Sequence, residues 1–162
     1  MLRPHAFAER LTSISLDQLA ADGVRGLIVD LDNTLLGYRD ETLAEGDAAW
    51  IAAALARGLR VVLVSNNFND RVKRIGAALG VPAVSSALKP LPHGFLRALA
   101  ILGTKRRATI VVGDQLFTDV LGARLCGLRA ILTHPLAAHD FAGTRVLRFL
   151  ERLVLPERRR RN

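Results

Sequence analysis

Short apolar runs alternate along this chain with longer segments of helical period. Gly26–Leu31, Leu59–Ser65, Val81–Val84, Thr109–Gly113 and Arg129–Thr133 read as strands. Thr42–Arg57, Phe68–Leu79, Pro92–Leu102 and Thr118–Cys126 read as helices between them. Gly58, Gly80, Gly103 and Gly127 each follow a helical segment, where a left-handed cap suits glycine. A short helix is expected around Leu16–Ala21 and a last one over roughly Phe141–Leu155. The repeating βα order predicts an α/β fold built on a doubly wound parallel sheet in three layers, because strands this apolar need cover on both faces. No repeat or linker divides the chain. One domain is expected over 1–162, with an N-terminal extension (1–24), a core (25–135) and a C-terminal helix with a basic tail (136–162).

In such sheets ligands bind beyond the carboxyl ends of the strands. Those ends carry the notable polar groups: Asp30-Leu31-Asp32-Asn33-Thr34, then Ser65-Asn66-Asn67, then Lys89-Pro90, then Gly113-Asp114 with Asp119 five residues on. Residues i and i+2 of an extended segment share a face, so Asp30 and Asp32 are expected to point into one site, with Asp114 beside them. Three carboxylates cannot stay ionised together without a cation, and oxygen donors at that density suit Mg²⁺. Lys89 adds a fixed positive charge and Ser65 a hydroxyl. This set suits phosphoryl transfer through an aspartyl-phosphate: Asp30 attacks, metal and Lys89 neutralise the transferring group, and a neighbouring acid handles the proton.

Other readings fit less well. Asp30, Asp32, Thr34 and Glu41 match the first, third, fifth and twelfth positions of a Ca²⁺ loop, but Leu35 stands where that loop needs glycine, and a strand enters rather than a helix. A phospho-receiver module takes its phosphoryl group on an aspartate ending a mid-chain strand, and here that strand ends in Ser65. A nucleic-acid-binding module with a decayed active site would lack a motif residue, and none is missing. Asn67 is expected to cap a helix from Phe68 onward. His5, His93, His134 and His139 show no metal-ligand spacing, and Trp50 reads as core.

Asp30-x-Asp32-x-Thr34, Ser65-Asn66, Lys89-Pro90 and Gly113-Asp114-x4-Asp119 resemble, in order, the four motifs of the haloacid-dehalogenase (HAD) phosphatase superfamily. The resemblance spans Gly26 to Thr133. The stretches "DLDNTLL", "VSNN", "KP" and "GDQLFTDVLGA" are similar to its subclass III branch of YqeG type, related to mitochondrial phosphatidylglycerophosphate phosphatases. The resemblance implies that Asp30 is the nucleophile and a Mg²⁺ ligand. It implies that Asp32 is the general acid/base and lends its backbone carbonyl to the metal, and that Asp114 is the third protein ligand. Asp119 would orient Asp114 or Lys89, and Lys89 would steady the phosphoaspartate. Ser65 and Asn66 would bind phosphoryl oxygens, and Thr34 would join them while bracing the loop.

The segments after the first and second motifs are too short for a cap domain, so the site is expected to be capless, open to bulky substrates unless another subunit of a homo-oligomer covers it. The open edge favours a phosphomonoester on a bulky body, and the resemblance points to a phosphatidylglycerophosphate-like lipid; the alternatives are a nucleotide or other soluble phosphomonoester.

Composition refines this. Half the residues are hydrophobic and 23% are charged, which is globular. No apolar run is long enough to span a bilayer, and no signal-peptide core follows Met1. The single cysteine, Cys126, fits a reducing compartment, so a cytoplasmic location is expected. The net charge of +8 gathers in Thr104–Ala108 and Glu157–Asn162 and favours anionic partners. Val146, Leu147, Leu150, Leu153 and Val154 recur at helical spacing among arginines, a pattern that can dock peripherally on an anionic membrane surface. No specific nucleic-acid partner is expected.

Overall fold

The computed structural model describes residues 2–37, 43–68 and 70–136. The strands are β1 (Ala6–Ala8), β2 (Gly26–Asp30), β3 (Arg60–Val64), β4 (Ala83–Val84), β5 (Thr109–Gly113) and β6 (Arg129–Thr133). They form one sheet in the order β1-β6-β5-β2-β3-β4, and every neighbouring pair is parallel. Parallel neighbours cannot be joined by a hairpin, so the connections cross over through α1 (Leu16–Ala21), α2 (Glu45–Ala56), α3 (Arg71–Leu79), α4 (Pro92–Leu102) and α5 (Leu121–Leu125). From β2 the chain moves outward to β3 and β4, then returns to the other side of β2 for β5 and β6. That reversal puts the switch in strand order between β2 and β5.

Alternation along the strands makes the three layers. Leu27, Val29, Val61, Leu63, Ile110 and Val112 face one core, which Leu19, Trp50, Ile51, Val72 and Ile75 complete from α1, α2 and α3. Ile28, Val62, Val64, Val111, Ala130 and Leu132 face the other, against Phe95, Ala98 and Leu102 of α4 and Ala123 of α5. A strand with apolar side chains on both faces must be covered on both, and β2 is buried at every position. Trp50 lies in the first core and gives its indole N–H to the Ile14 carbonyl at 2.9 Å, so its one polar atom is satisfied.

Three differences from the sequence reading have local causes. The expected N-terminal extension contributes strand β1 to the sheet. Its three residues are too few to show a period, and pairing with β6 defines it: His5 N–H donates to the Ala130 carbonyl at 2.8 Å and His134 N–H to the Glu9 carbonyl at 3.2 Å. Helix α3 starts at Arg71 rather than Phe68, with Asp70 as its N-cap, because the Asn67 side chain goes to Asp32 instead of capping a helix. The helix expected from Thr118 begins instead as one turn of wide π-helix, Leu116–Val120, and then tightens into α5. The expected helix Phe141–Leu155, the basic tail and the Tyr38–Thr42 segment lie outside the described residues. Among the described residues no helix is long and apolar enough to cross a membrane.

Candidate active site

Four loops leave the carboxyl edge of the sheet, and each carries a polar group. β2 remains in register with β3 through Asp30, and Leu31 N–H still reaches the Val64 carbonyl at 3.1 Å. The chain then curls. Asn33 sits at φ 63, a conformation that asparagine tolerates better than most side chains, and its N–H donates to the Leu36 carbonyl at 2.7 Å. Past the strand's end the two aspartates take different partners, and two neighbouring polar groups result.

The first group is acidic. Carboxylate oxygens of Asp30, Asp114 and Asp119 lie within 4.8 Å of one another, and all three residues are buried. Lys89 enters between them: its Nζ donates to Asp30 Oδ1 and, at 2.6 Å, to Asp119 Oδ1. Asp119 Oδ2 accepts the Gln115 N–H at 3.1 Å, so both of its oxygens are occupied. The π-turn aims this carboxylate across the start of its own loop, where Gly113 makes room: a Cβ on Gly113 would overlap the Asp119 carboxylate group. Asp30 Oδ2 is buried and has no hydrogen-bond partner among the described residues.

Burial is the largest influence on Asp30 and raises its carboxyl well above the ordinary value. Lys89 opposes that rise, and Asp119 and Asp114 add to it. Burial alone would lower the Lys89 ammonium, but Asp119 and Asp30 outweigh it and hold the ammonium above the usual lysine value. The Lys89 ammonium therefore binds two of the three carboxylates, and Asp30 Oδ2 keeps no hydrogen-bond partner among the described residues. A buried, uncompensated carboxylate oxygen among hard donors is what a divalent cation fits.

The second group surrounds Asp32. Its Oδ2 accepts from Ser65 Oγ at 2.7 Å and Asn67 Nδ2 at 2.9 Å, and its Oδ1 accepts from Arg71 Nη1 at 2.8 Å. Arg71 Nη2 donates to the Gly37 carbonyl at 2.7 Å. Ser65 Oγ also accepts the Asn67 N–H at 3.0 Å. Asn67, expected as a helix cap, is thus a partner of Asp32, while Asp70 occupies the N-cap of α3. The sequence reading did not single out Arg71. The available signal was its place one turn before Ile75, on the face of α3 that is buried.

The loops after β3 and β4 brace each other. Asn66 accepts the Lys89 N–H on Oδ1 at 2.7 Å and returns Nδ2 to the Lys89 carbonyl at 3.1 Å, so its amide holds Lys89 in place. Ala87 N–H reaches the Ser65 carbonyl and Ser86 N–H the Asn67 carbonyl, each at 3.0 Å. Thr34 is buried beside Asn33, and its hydroxyl has no hydrogen-bond partner among the described residues.

The profile of the haloacid dehalogenase-like hydrolases matches residues 16–127. Over 158 residues the chain is 35% identical to Probable phosphatase YqeG of Bacillus subtilis (strain 168), covering 98% of this chain and 92% of that one. It is 30% identical over 142 residues to the chloroplastic phosphatidylglycerophosphate phosphatase 1 of Chlamydomonas reinhardtii, covering 82% of this chain and 53% of that one. Among solved structures, the cobalt-bound deoxy-D-mannose-octulosonate 8-phosphate phosphatase of Haemophilus influenzae superposes with a TM-score of 0.58 at 16% identity, over 69% of each chain, a likeness of fold. With the polar groups of all four strand ends gathered at the switch point, the chain belongs to the haloacid dehalogenase-like hydrolases and is a phosphatase of that family.

Proposed function

We propose that the protein is a Mg²⁺-dependent phosphomonoesterase that works through an aspartyl-phosphate on Asp30. The observation that carries this reading is the state of Asp30: a buried carboxylate with one oxygen on Lys89 and the other without a hydrogen-bond partner among the described residues. Asp119 already spends both oxygens on Lys89 and Gln115, so Asp30 and Asp114, with the backbone carbonyl of Asp32, are assigned as the protein's ligands to the cation. Bound there, Mg²⁺ supplies positive charge that offsets the charge of the phosphoryl group and of the carboxylates.

The remaining steps belong to the chain. Asp30 attacks phosphorus as the bond to the leaving oxygen breaks, and Asp32, entering this step as the carboxylic acid, gives that oxygen its proton and is left as the carboxylate. Water then attacks the phosphoaspartate, Asp32 takes a proton back, and inorganic phosphate leaves. Lys89, fixed by Asp119 below and by Asn66 along its backbone, keeps a cation against Asp30 throughout. Ser65 Oγ is the hydroxyl donor for a phosphoryl oxygen, and in binding one it releases the hydrogen bond it gives Asp32.

The substrate reading is a phosphomonoester on an apolar body of phosphatidylglycerophosphate type, presented at a membrane surface by the basic C-terminal stretch. Among the described residues no inserted domain covers the carboxyl edge, and Phe68, Leu88 and Leu91 stand exposed on the loops that carry Asn67 and Lys89. Large exposed apolar groups beside a polar site favour a substrate with apolar surface of its own. The test measures phosphate release with Mg²⁺ from phosphatidylglycerophosphate in anionic vesicles, from nucleotides and from sugar phosphates. The expected result is metal-dependent turnover fastest on the lipid. Faster turnover of a soluble phosphomonoester would overturn the substrate, and no release from any of them would overturn the activity.

A further inference from the structure

We infer that Arg71 is a positioning residue for Asp32: it fixes the orientation of the carboxylate that moves the proton and ties it to the backbone at Gly37. The inference rests on the acid/base assignment of Asp32 given above.

Arg71 stands at the first position of α3, beside the Asp70 cap, and is only 8% exposed. Both features run against local preference. A cation in the first turn of a helix opposes the helix dipole, and a guanidinium loses hydration when it is buried. Packing of α3 on the sheet does not need it, because Val72 and Ile75 already enter the core. A buried ion pair is seldom better for stability than apolar residues of the same volume. The cost therefore points to a job at the other end of the side chain.

That end is a fork. Nη1 reaches Asp32 Oδ1 at 2.8 Å while Nη2 reaches the Gly37 carbonyl at 2.7 Å, and the two nitrogens are rigidly related, so the fork fixes Asp32 relative to the backbone that leads away from its loop. Asp32 Oδ2 meanwhile receives Ser65 and Asn67. All three donors come from residues 65–71, on the loop and helix after β3, and all converge on one carboxylate of the loop after β2. Held at both oxygens, that carboxylate cannot rotate, yet its side chain keeps 16% exposure toward the open edge. Two other ion pairs at these helices, Arg57 with Asp17 and Lys73 with Asp70, are exposed surface contacts of the kind that contributes little. A proton donor displaced by about 1 Å loses on the order of a hundredfold in rate, so a device that removes rotational freedom acts on kcat.

The test is a double-mutant cycle read in kcat and KM on one phosphomonoester, with circular dichroism and Tm confirming the fold. Arg71→Met keeps most of the side-chain volume and removes the fork. It is expected to lower kcat about 10- to 100-fold with KM changed less than about threefold. Arg71→Lys is expected in between, because one ammonium cannot reproduce two fixed donors; it also carries the comparison should Arg71→Met not fold. In an Asp32→Asn background the same Arg71 substitution is expected to cost less than about twofold, because its target is gone. An unchanged kcat in the folded single variant, or an equal loss in both backgrounds, overturns the positioning role. A raised KM with kcat intact would instead make Arg71 a ligand for the substrate's anion. Full activity in Asp32→Asn itself would sink the acid/base assignment, a result separate from any outcome at Arg71.

Discussion

At the amino ends of the strands Arg25, Arg60, Arg106, Arg107 and Arg129 stand where β2, β3, β5 and β6 begin, and at the carboxyl ends Asp30, Asp114, Asp119 and Lys89 close in on one another. Both edges are charged, but they use charge differently. Three of these arginines reach main-chain carbonyls: Arg60 donates to Leu102 at the end of α4 and Arg106 to Cys126 at the end of α5, each at 2.7 Å, while Arg25 donates to Val24 at 2.9 Å. Arg25, Arg60 and Arg106 are exposed, and cations at helix C-termini satisfy carbonyls that the helix leaves free. At the other edge the charges are buried and bind one another side chain to side chain, and Asp30 Oδ2 has no hydrogen-bond partner among the described residues. Exposed charge that meets backbone finishes the fold. Buried charge gathered side chain to side chain at the strand ends is where the proposed cation would sit.

The sharpest way to break the comparison is to remove the Lys89 ammonium from the acidic cluster. Lys89→Met leaves three buried carboxylates facing each other. Without divalent metal it is expected to lose about 3–5 kcal/mol of stability, the cost of stripping one partner from a buried ion pair, and Mg²⁺ is expected to restore part of it. Denaturant melts with and without Mg²⁺ check this. Equal stability of variant and parent without metal would mean that the cluster is not held together by charge.

Next in size is the division of labour between Asp114 and Asp32. The half-saturating Mg²⁺ concentration for turnover is expected to rise about ten- to a hundredfold or more for Asp114→Asn, the lower end being what loss of a mere supporting group costs. A smaller rise is expected for Asp32→Asn, whose carboxylate is engaged by Ser65, Asn67 and Arg71. The reverse ranking would exchange their roles.

Asp47 offers a smaller and pH-dependent effect. It is buried in the first turn of α2, neither carboxylate oxygen has a hydrogen-bond partner among the described residues, and its ion pair with Arg10 is long at 3.7 Å. Burial raises its carboxyl, with Arg10 offsetting part of the rise. The folded protein therefore holds this proton more tightly than the unfolded chain, whose value is about 3.9. The stability this group subtracts appears as pH climbs above that value and is complete above the folded one. Thermal melts should show Asp47→Asn gaining on the parent protein from pH 4 to pH 7, and a gap that narrows with rising pH would contradict the assigned direction.

The smallest effect is expected at the amino edge. Arg107→Gln removes an exposed charge far from the carboxyl ends, and stability should stay within about 0.5 kcal/mol with kcat unchanged. A large loss of activity would show that the two edges are not independent.

The fold and site were unequally legible in the sequence. Strands buried on both faces read as apolar runs whatever their neighbours, so β2, β3, β5 and β6 stood out, and with them the polar residues at their carboxyl ends. β1 did not, because pairing with β6 rather than any pattern in Ala6–Ala8 makes it a strand. The choice of partners was hidden for a similar reason. Sequence left Asp119 between Asp114 and Lys89, and only the approach of two loops thirty residues apart shows that it grips Lys89. Arg71 reaches Asp32 across thirty-nine residues, a distance at which spacing carries no information. Sequence placed Asp30 and Asp32 together at one strand end, but it carried no sign that Asp30 would take Lys89 while Asp32 took Ser65, Asn67 and Arg71.

The central claim is that the buried Asp30 carboxylate takes the phosphoryl group. It is tested most directly by mixing the Mg²⁺-loaded protein with a phosphomonoester, quenching in acid during turnover and mapping the protein by mass spectrometry, alongside Asp30→Asn. The account predicts a peptide heavier by one phosphoryl group, the label on Asp30, and neither adduct nor turnover in the folded Asp30→Asn protein. Turnover at a comparable rate in Asp30→Asn, or a phosphoryl group mapped to another residue of the working protein, would contradict it.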